Sequence, residues 1–304
     1  GDLTRKQRDK LLVQMTDEVA DLVLRDNYLQ TQAISVTHGM SAHLLDRIAR
    51  YMRALEKQGL LSRAIEYLPD DEVIDERMKK RQGLSRAELA VLLSYSKIAL
   101  YDELLGSDLP DDPDLMQDLV NYFPTPLRKK YGPQIENHRL RREIAATVVT
   151  NSIINRAGIS FVHEVAEKTG LPSDDIARAY TAAREIFELR DRWSDIEGLD
   201  NKVPTKAQYT MIAECGRLVE RGTVWLLRHV AQPMHISQTV ERYRDGTRAL
   251  AACLKTVLPQ EDVKVLTTAA GRLTAEGVPD ALAERIAAFP WLVPAGDIVD
   301  TAHA

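Results

Sequence analysis

The chain has 304 residues, of which 44% are hydrophobic and 28% charged, with a formal net charge of -5 and a pI near 5.9. That balance belongs to a globular chain with enough apolar material for a sizeable core, and it argues against general electrostatic attraction to nucleic acid or anionic lipid. Apolar runs such as LAVLL and ALAACL fall far short of the roughly 20 residues that a bilayer span requires, so no membrane partner is expected.

The first predicted element is the run TRKQRDKLLVQMTDEVADLVLRD. Leu11, Leu12, Met15, Val19, Leu22 and Val23 recur at helical spacing and form one apolar stripe with charges opposite. Thr4 and Gln7 make a capping box at its start, since each side chain satisfies a backbone amide that the first turn leaves unpaired. Ser85 and Glu88 repeat the device before AELAVLLSYSKIALYDELLG, which Gly106 ends. The stretches GSDLPDDPD (106–114) and YFPTPLRKKYGPQ (122–134) are rich in Pro, Gly and charge. They divide the chain into expected lobes 1–106 and 135–304 with a connection over 107–134.

The next helix, HRLRREIAATVVTNSIINRAG, is apolar on several sides, which predicts an interior position. Thr147, Asn151 and Asn155 nevertheless follow one another at i, i+4 and i+8 as a polar stripe. That stripe reads either as a solvent-facing edge or as a buried network that needs a partner. Just upstream, Arg128, Lys129, Lys130, His138, Arg139, Arg141 and Arg142 form the one strong basic cluster. It is either a solvated face or a docking site for an acidic surface or anionic effector.

FVHEVAEKTGLPSDDIARAYTAAREIF has the spacing of a helix-turn-helix, with Ala166 at the crossing, Gly170 in the turn, Ile176 packing back and Ser173 as an N-cap. This makes a DNA-binding regulator over residues 161–187 the alternative reading. Asp174 and Asp175 oppose it, because they open the helix that would meet the phosphates. His163 and Glu164 resemble the start of a zinc helix, but Glu167 stands where the second histidine belongs, so no metal is expected. Thr205 and Gln208 read as a third capping box, opening a helix of about 27 residues closed by Pro233. Shorter helices follow over 237–257 and 261–275 and from Pro279. Cys215 and Cys253 have no partner at ligand spacing, which fits a reducing cytosol. The closing DIVDTAHA starts a helix and stops, and the chain lacks an initiator Met, so a piece of a longer protein is expected.

Strand signals and glycine-rich nucleotide loops are missing, so the expected class is all-α, a multi-helix bundle in one or two lobes that binds no cofactor itself. Four stretches then carry a resemblance: MTDEVADLVLRDNYLQTQAIS, YLPDDEVIDERMKKRQGLSRAELAVLLSYSKIALYDELL, YFPTPLRKKYGPQIENHRLRREIAATVVTNSIINRAGISFVHEVAEKTG and RGTVWLLR. Together they resemble the C-terminal region of the large bacterial NAD-specific glutamate dehydrogenases, from about Leu3 onward and most weakly after Leu258. The resemblance implies a parent enzyme that oxidises L-glutamate to 2-oxoglutarate and ammonia with NAD. It also implies an upstream dehydrogenase domain in the same chain as partner, homo-oligomer contacts and a cytoplasmic setting. None of the family's catalytic or NAD-binding residues has a matching motif here, so none is carried over.

Overall fold

The computed structural model describes residues 3–303, and among them every regular element is a helix. The first, α1, runs unbroken from Arg5 to Lys57, 53 residues or about 80 Å at 1.5 Å per residue. The Thr4–Gln7 capping box opens it as expected. The helix outruns the predicted run by 31 residues, from Asn27 on. Its second half, with Gly39 and several β-branched residues, has weak propensity. Packing of Leu45, Ile48, Met52 and Leu55, each at most 1% exposed, holds it helical instead.

The helices α2 (Asp71–Lys79) and α3 (Arg86–Leu105) fold back on α1, with the Ser85–Glu88 capping box in place and Gly106 at the C-terminal cap of α3. Residues 107–134 are not bare loop. They contain two single 3-10 turns and the short helices α4 (Met116–Asn121), α5 (Thr125–Lys130) and α6 (Gly132–Glu136). Then come α7 (Arg141–Arg156), α8 (Phe161–Thr169), α9 (Ser173–Ile186), α10 (Leu189–Glu197) and α11 (Thr205–His229). The chain closes with α12 (Ile236–Val257), α13 (Gln260–Ala275), α14 (Asp280–Ala288) and α15 (Ala295–His303). No described helix is long and apolar enough to cross a membrane.

The axis of the assembly is α9. Every residue from Ile176 to Arg184 is buried, and α3, α7, α8, α10, α11 and α12 surround it. Ala177, Ala179, Ala182 and Ala183 let neighbouring backbones approach closely, while Tyr180 fills the centre against Phe161, ring centroids 5.7 Å apart. Buried apolar residues from Ala33 to Val299 form one cluster. Two predicted caps are corrected. Ser173 is the first residue of α9 behind Pro172, and Thr205 opens α11 behind Pro204, with no side-chain cap at either. Gln208 instead turns its amide to the Ile196 carbonyl (2.9 Å) and Asp200, because a buried amide needs its partners more than an exposed turn does.

Candidate functional site

The helix-turn-helix spacing does produce two helices around Gly170, which sits at φ 73° in the left-handed region that glycine favours. The second of them is α9, whose burial leaves no face to enter a groove. The DNA reading fails on that ground. The zinc-like start resolves as packing. Arg47 of α1 donates to Glu164 at 2.8 Å, and Ser160 donates to its other oxygen at 2.6 Å. A carboxylate neutralised in this way is a poor base for Ser160, so the trio ties α8 to α1 rather than activating a nucleophile. His163 lies against Tyr51, ring centroids 5.4 Å apart, and burial pushes the Tyr51 hydroxyl up to about 12.

The polar stripe of α7 enters three environments. Thr147 is half-buried and returns its hydroxyl to the Glu143 carbonyl at 2.7 Å. Asn151 is half-buried one turn on. Asn155 is buried, and its Oδ1 has no hydrogen-bond partner. It lines a cleft of about 680 Å³ between α1, α7, α8 and α11, beside Arg47, Glu164, Arg156 and Arg217. Most of these charges already have partners. Arg156 donates to Glu197 (2.6 Å) and Gln32 (3.2 Å) and lies over the Trp193 ring, 4.7 Å from its centroid. Glu197 also holds Arg25 of α1.

The basic cluster does not act as one patch. Arg128 donates to Glu18 of α1 at 3.2 Å, and Glu18 also accepts from the Thr125 amide at 2.8 Å. Those bonds hold the Glu18 carboxyl below the usual carboxylate range. Arg141 and Arg142 both pair with Asp111, and Arg142 further donates to the carbonyls of Leu105 and Ser107 at 2.9 Å each. Lys129, Lys130 and Arg139 are exposed and form no ion pair among the described residues, with Lys130 over the Tyr131 ring.

Two buried ion networks escaped the sequence reading. Arg178, 6% exposed, faces Asp108 (2.5 Å), Asp174 (3.1 Å), Asp112 (3.4 Å) and Asp175 (3.8 Å). It thereby pins the 107–115 segment onto α9. Burial, and then the Asp174 charge, push the Asp175 carboxyl up. Asp118 lies between Arg184 (3.0 Å) and Arg190 (2.6 Å). Burial alone raises its carboxyl, but the two guanidiniums outweigh it and hold it low. The Arg184–Asp118 pair joins residues 66 positions apart and has no local signature. The one hint of the Arg178 set was the acidic composition of 106–114. Burial pushes the Cys215 thiol well up, which makes it inert packing, as its lack of partners implied.

With this geometry in place, comparison with known proteins is specific. The family described as glutamate dehydrogenase, C-terminal, matches residues 81–304, and the bacterial NAD-glutamate dehydrogenase catalytic domain matches residues 1–37. The NAD-specific glutamate dehydrogenase of Halomonas elongata is 40% identical over the whole chain, which spans 19% of that relative. The enzymes of the same name from Pseudomonas aeruginosa and Mycobacterium tuberculosis are 40% and 32% identical over 94% of the chain, each over 18% of its own length. The chain therefore spans about a fifth of the relatives it matches, and it belongs to the C-terminal family of glutamate dehydrogenases.

Proposed function

We propose that these helices are the C-terminal scaffold of an NAD-dependent glutamate dehydrogenase, which converts L-glutamate to 2-oxoglutarate and ammonia in the cytosol. The carrying observation is that one polypeptide matches the catalytic-domain family over 1–37 and the C-terminal family over 81–304, with α1 running out of the first match toward the second. Hydride transfer and NAD binding belong to the catalytic domain. The usual dinucleotide site is built from a strand, a glycine-rich turn and a helix N-terminus in sequence, and the purely helical described elements support placing it elsewhere in the polypeptide. In the cleft between α1, α7, α8 and α11, Arg47, Glu164 and Arg156 already have partners, which suits packing better than turnover. The scaffold rests against the catalytic domain and contributes to contacts between copies, with Lys129, Lys130 and Arg139 as the cations available to an acidic surface.

The test is NADH production from glutamate and NAD, measured for the 304-residue chain and for the intact polypeptide. The intact protein is expected to turn over and the segment to be silent. NADH from the segment alone overturns the scaffold reading. An intact protein inert toward glutamate overturns the reaction.

A further inference from the structure

Residues 5–31 of α1 stand outside the core, since burial along this helix begins only at Gln32. This arm carries far more apolar surface than its contacts with the rest of the molecule cover. Between Leu11 and Leu24, the side chains of Gln14, Asp17, Glu18 and Asp21 fall within about 100° of the helix circumference at 3.6 residues per turn. The other ten positions cover the remaining arc of roughly 220° and are apolar apart from Thr16. The Thr16 hydroxyl donates back to the Leu12 carbonyl at 2.9 Å, so it adds no polar group to that face.

The arm meets the rest of the molecule along the border of the two arcs, and Gln14, Asp17 and Asp21 are exposed. Glu18 accepts from the Thr125 amide and hydroxyl and from Arg128, and Leu11 and Met15 beside it are half-buried. Arg25 to Glu197 and Tyr28 to Asp200 (3.1 Å) fix the rotation of the helix lower down. The apolar arc is thus held outward: Leu12 is 52% exposed, Val13 77%, Val23 55% and Leu24 65%. An apolar face this wide suits a helix enclosed on most sides. It is too broad for the two-position seam by which a second copy would pair in a coiled coil.

We propose that the outward face of residues 11–24 is seated in the catalytic domain of the same polypeptide, as one of that domain's own core helices. This rests on the scaffold reading above. Residues 1–37 are the part that matches the catalytic-domain family, and they take in the whole stretch of α1 that the C-terminal helices leave bare. About four-fifths of each matched relative lies outside the region aligned here, which supplies the covering surface. α1 is then a single rigid rod rooted in both domains.

The experiment is alkylation of Val19→Cys and Val23→Cys, read by peptide-resolved mass spectrometry in the intact polypeptide and in the 304-residue chain. Valine and cysteine are close in size and both positions are exposed, so both variants are expected to retain the fold, with circular dichroism as the check. Roughly tenfold slower labelling in the intact protein is expected. A difference of less than about fivefold overturns the proposal. So does slow labelling of the 304-residue chain that speeds up on dilution, since that assigns the face to a second copy. Labelling does not depend on turnover. A protected face in a protein inert toward glutamate therefore leaves the docking standing and removes only the reaction, and a reactive face in an active enzyme does the reverse.

Discussion

The arm of α1 and the central helix α9 are both rich in apolar residues, yet they end in opposite surroundings. In α9 the side chains are small, four alanines in eight positions, and six neighbouring helices close over them. In the arm the side chains are large and branched, and no described element covers their outer face. The contrast separates two properties that composition blends: how apolar a helix is, and whether its own domain supplies the cover. A helix that leaves large apolar side chains uncovered by its own domain fits the proposal that a second body covers them.

The strongest way to break the contrast is at the centre of α9. Tyr180 is fully buried, with its hydroxyl bonded to the Ser152 carbonyl at 3.0 Å. Tyr180→Ala leaves a large cavity and removes the hydroxyl's bond to α7, and is expected to destabilise the 304-residue chain by about 3–5 kcal/mol in urea unfolding. A loss below about 1 kcal/mol would show that α9 is not the axis of the fold.

The ion network around α9 comes next. Asp118→Asn removes the carboxylate between Arg184 and Arg190, and Arg184 keeps only Glu185 at 2.9 Å as an acidic partner. The expected loss is about 2–3 kcal/mol at neutral pH. Its pH dependence has a definite sign. The folded Asp118 carboxyl is held below its unfolded value, so its contribution is present above the ordinary aspartate range, about 3.9, and fades as pH falls through and below it. Wild type and Asp118→Asn are therefore expected to converge in urea midpoint on acidification. Asp175 runs the other way, because its folded carboxyl is raised and protonation favours the folded state. Asp175→Asn is expected to be neutral or slightly stabilising at pH 7, and a loss comparable to that of Asp118→Asn would contradict the assignment.

These networks mark where the sequence was legible and where it was not. Helical class, the Thr4 and Ser85 capping boxes and the Gly106 stop were readable because their physics lies within four residues along the chain. The length of α1 was not, because its second half is helical through contacts with α2, α3, α7 and α11 rather than by propensity. The stripe Leu11–Val23 was correctly placed on one helix, but periodicity names a face and is silent about what that face meets. Among the candidate residues, Arg128, Arg141 and Arg142 joined carboxylates across the fold, and Asn155 reached a cleft beside Arg156, which pairs with a glutamate 41 positions away. Such pairings leave no trace in local spacing.

A single substitution made in two places sharpens the contrast further. At Gly222 in α11, an added Cβ would stand 2.3 Å from Cε2 of Phe187, so Gly222→Ala must shift that ring and is expected to destabilise by about 1–3 kcal/mol. The gain in helix propensity, roughly 1 kcal/mol, offsets only part of it. At Gly39 in α1 nothing lies within 4 Å, and Gly39→Ala is expected to stabilise by about 0.5–1 kcal/mol. Equal effects at the two sites would mean that α1 is as tightly enclosed there as α11.

The smallest expected effect lies in the arm itself. Leu24 is 65% exposed, so Leu24→Ala in the 304-residue chain removes little buried area and should shift stability by no more than about 0.5 kcal/mol. The same truncation in a helix folded against its own domain costs about 2–5 kcal/mol, and urea unfolding distinguishes the two outcomes directly. In the intact polypeptide the same substitution falls in an interface and is expected to lower the unfolding midpoint measurably. A leucine that is nearly silent in the segment and expensive in the whole chain is one whose cover comes from the other domain.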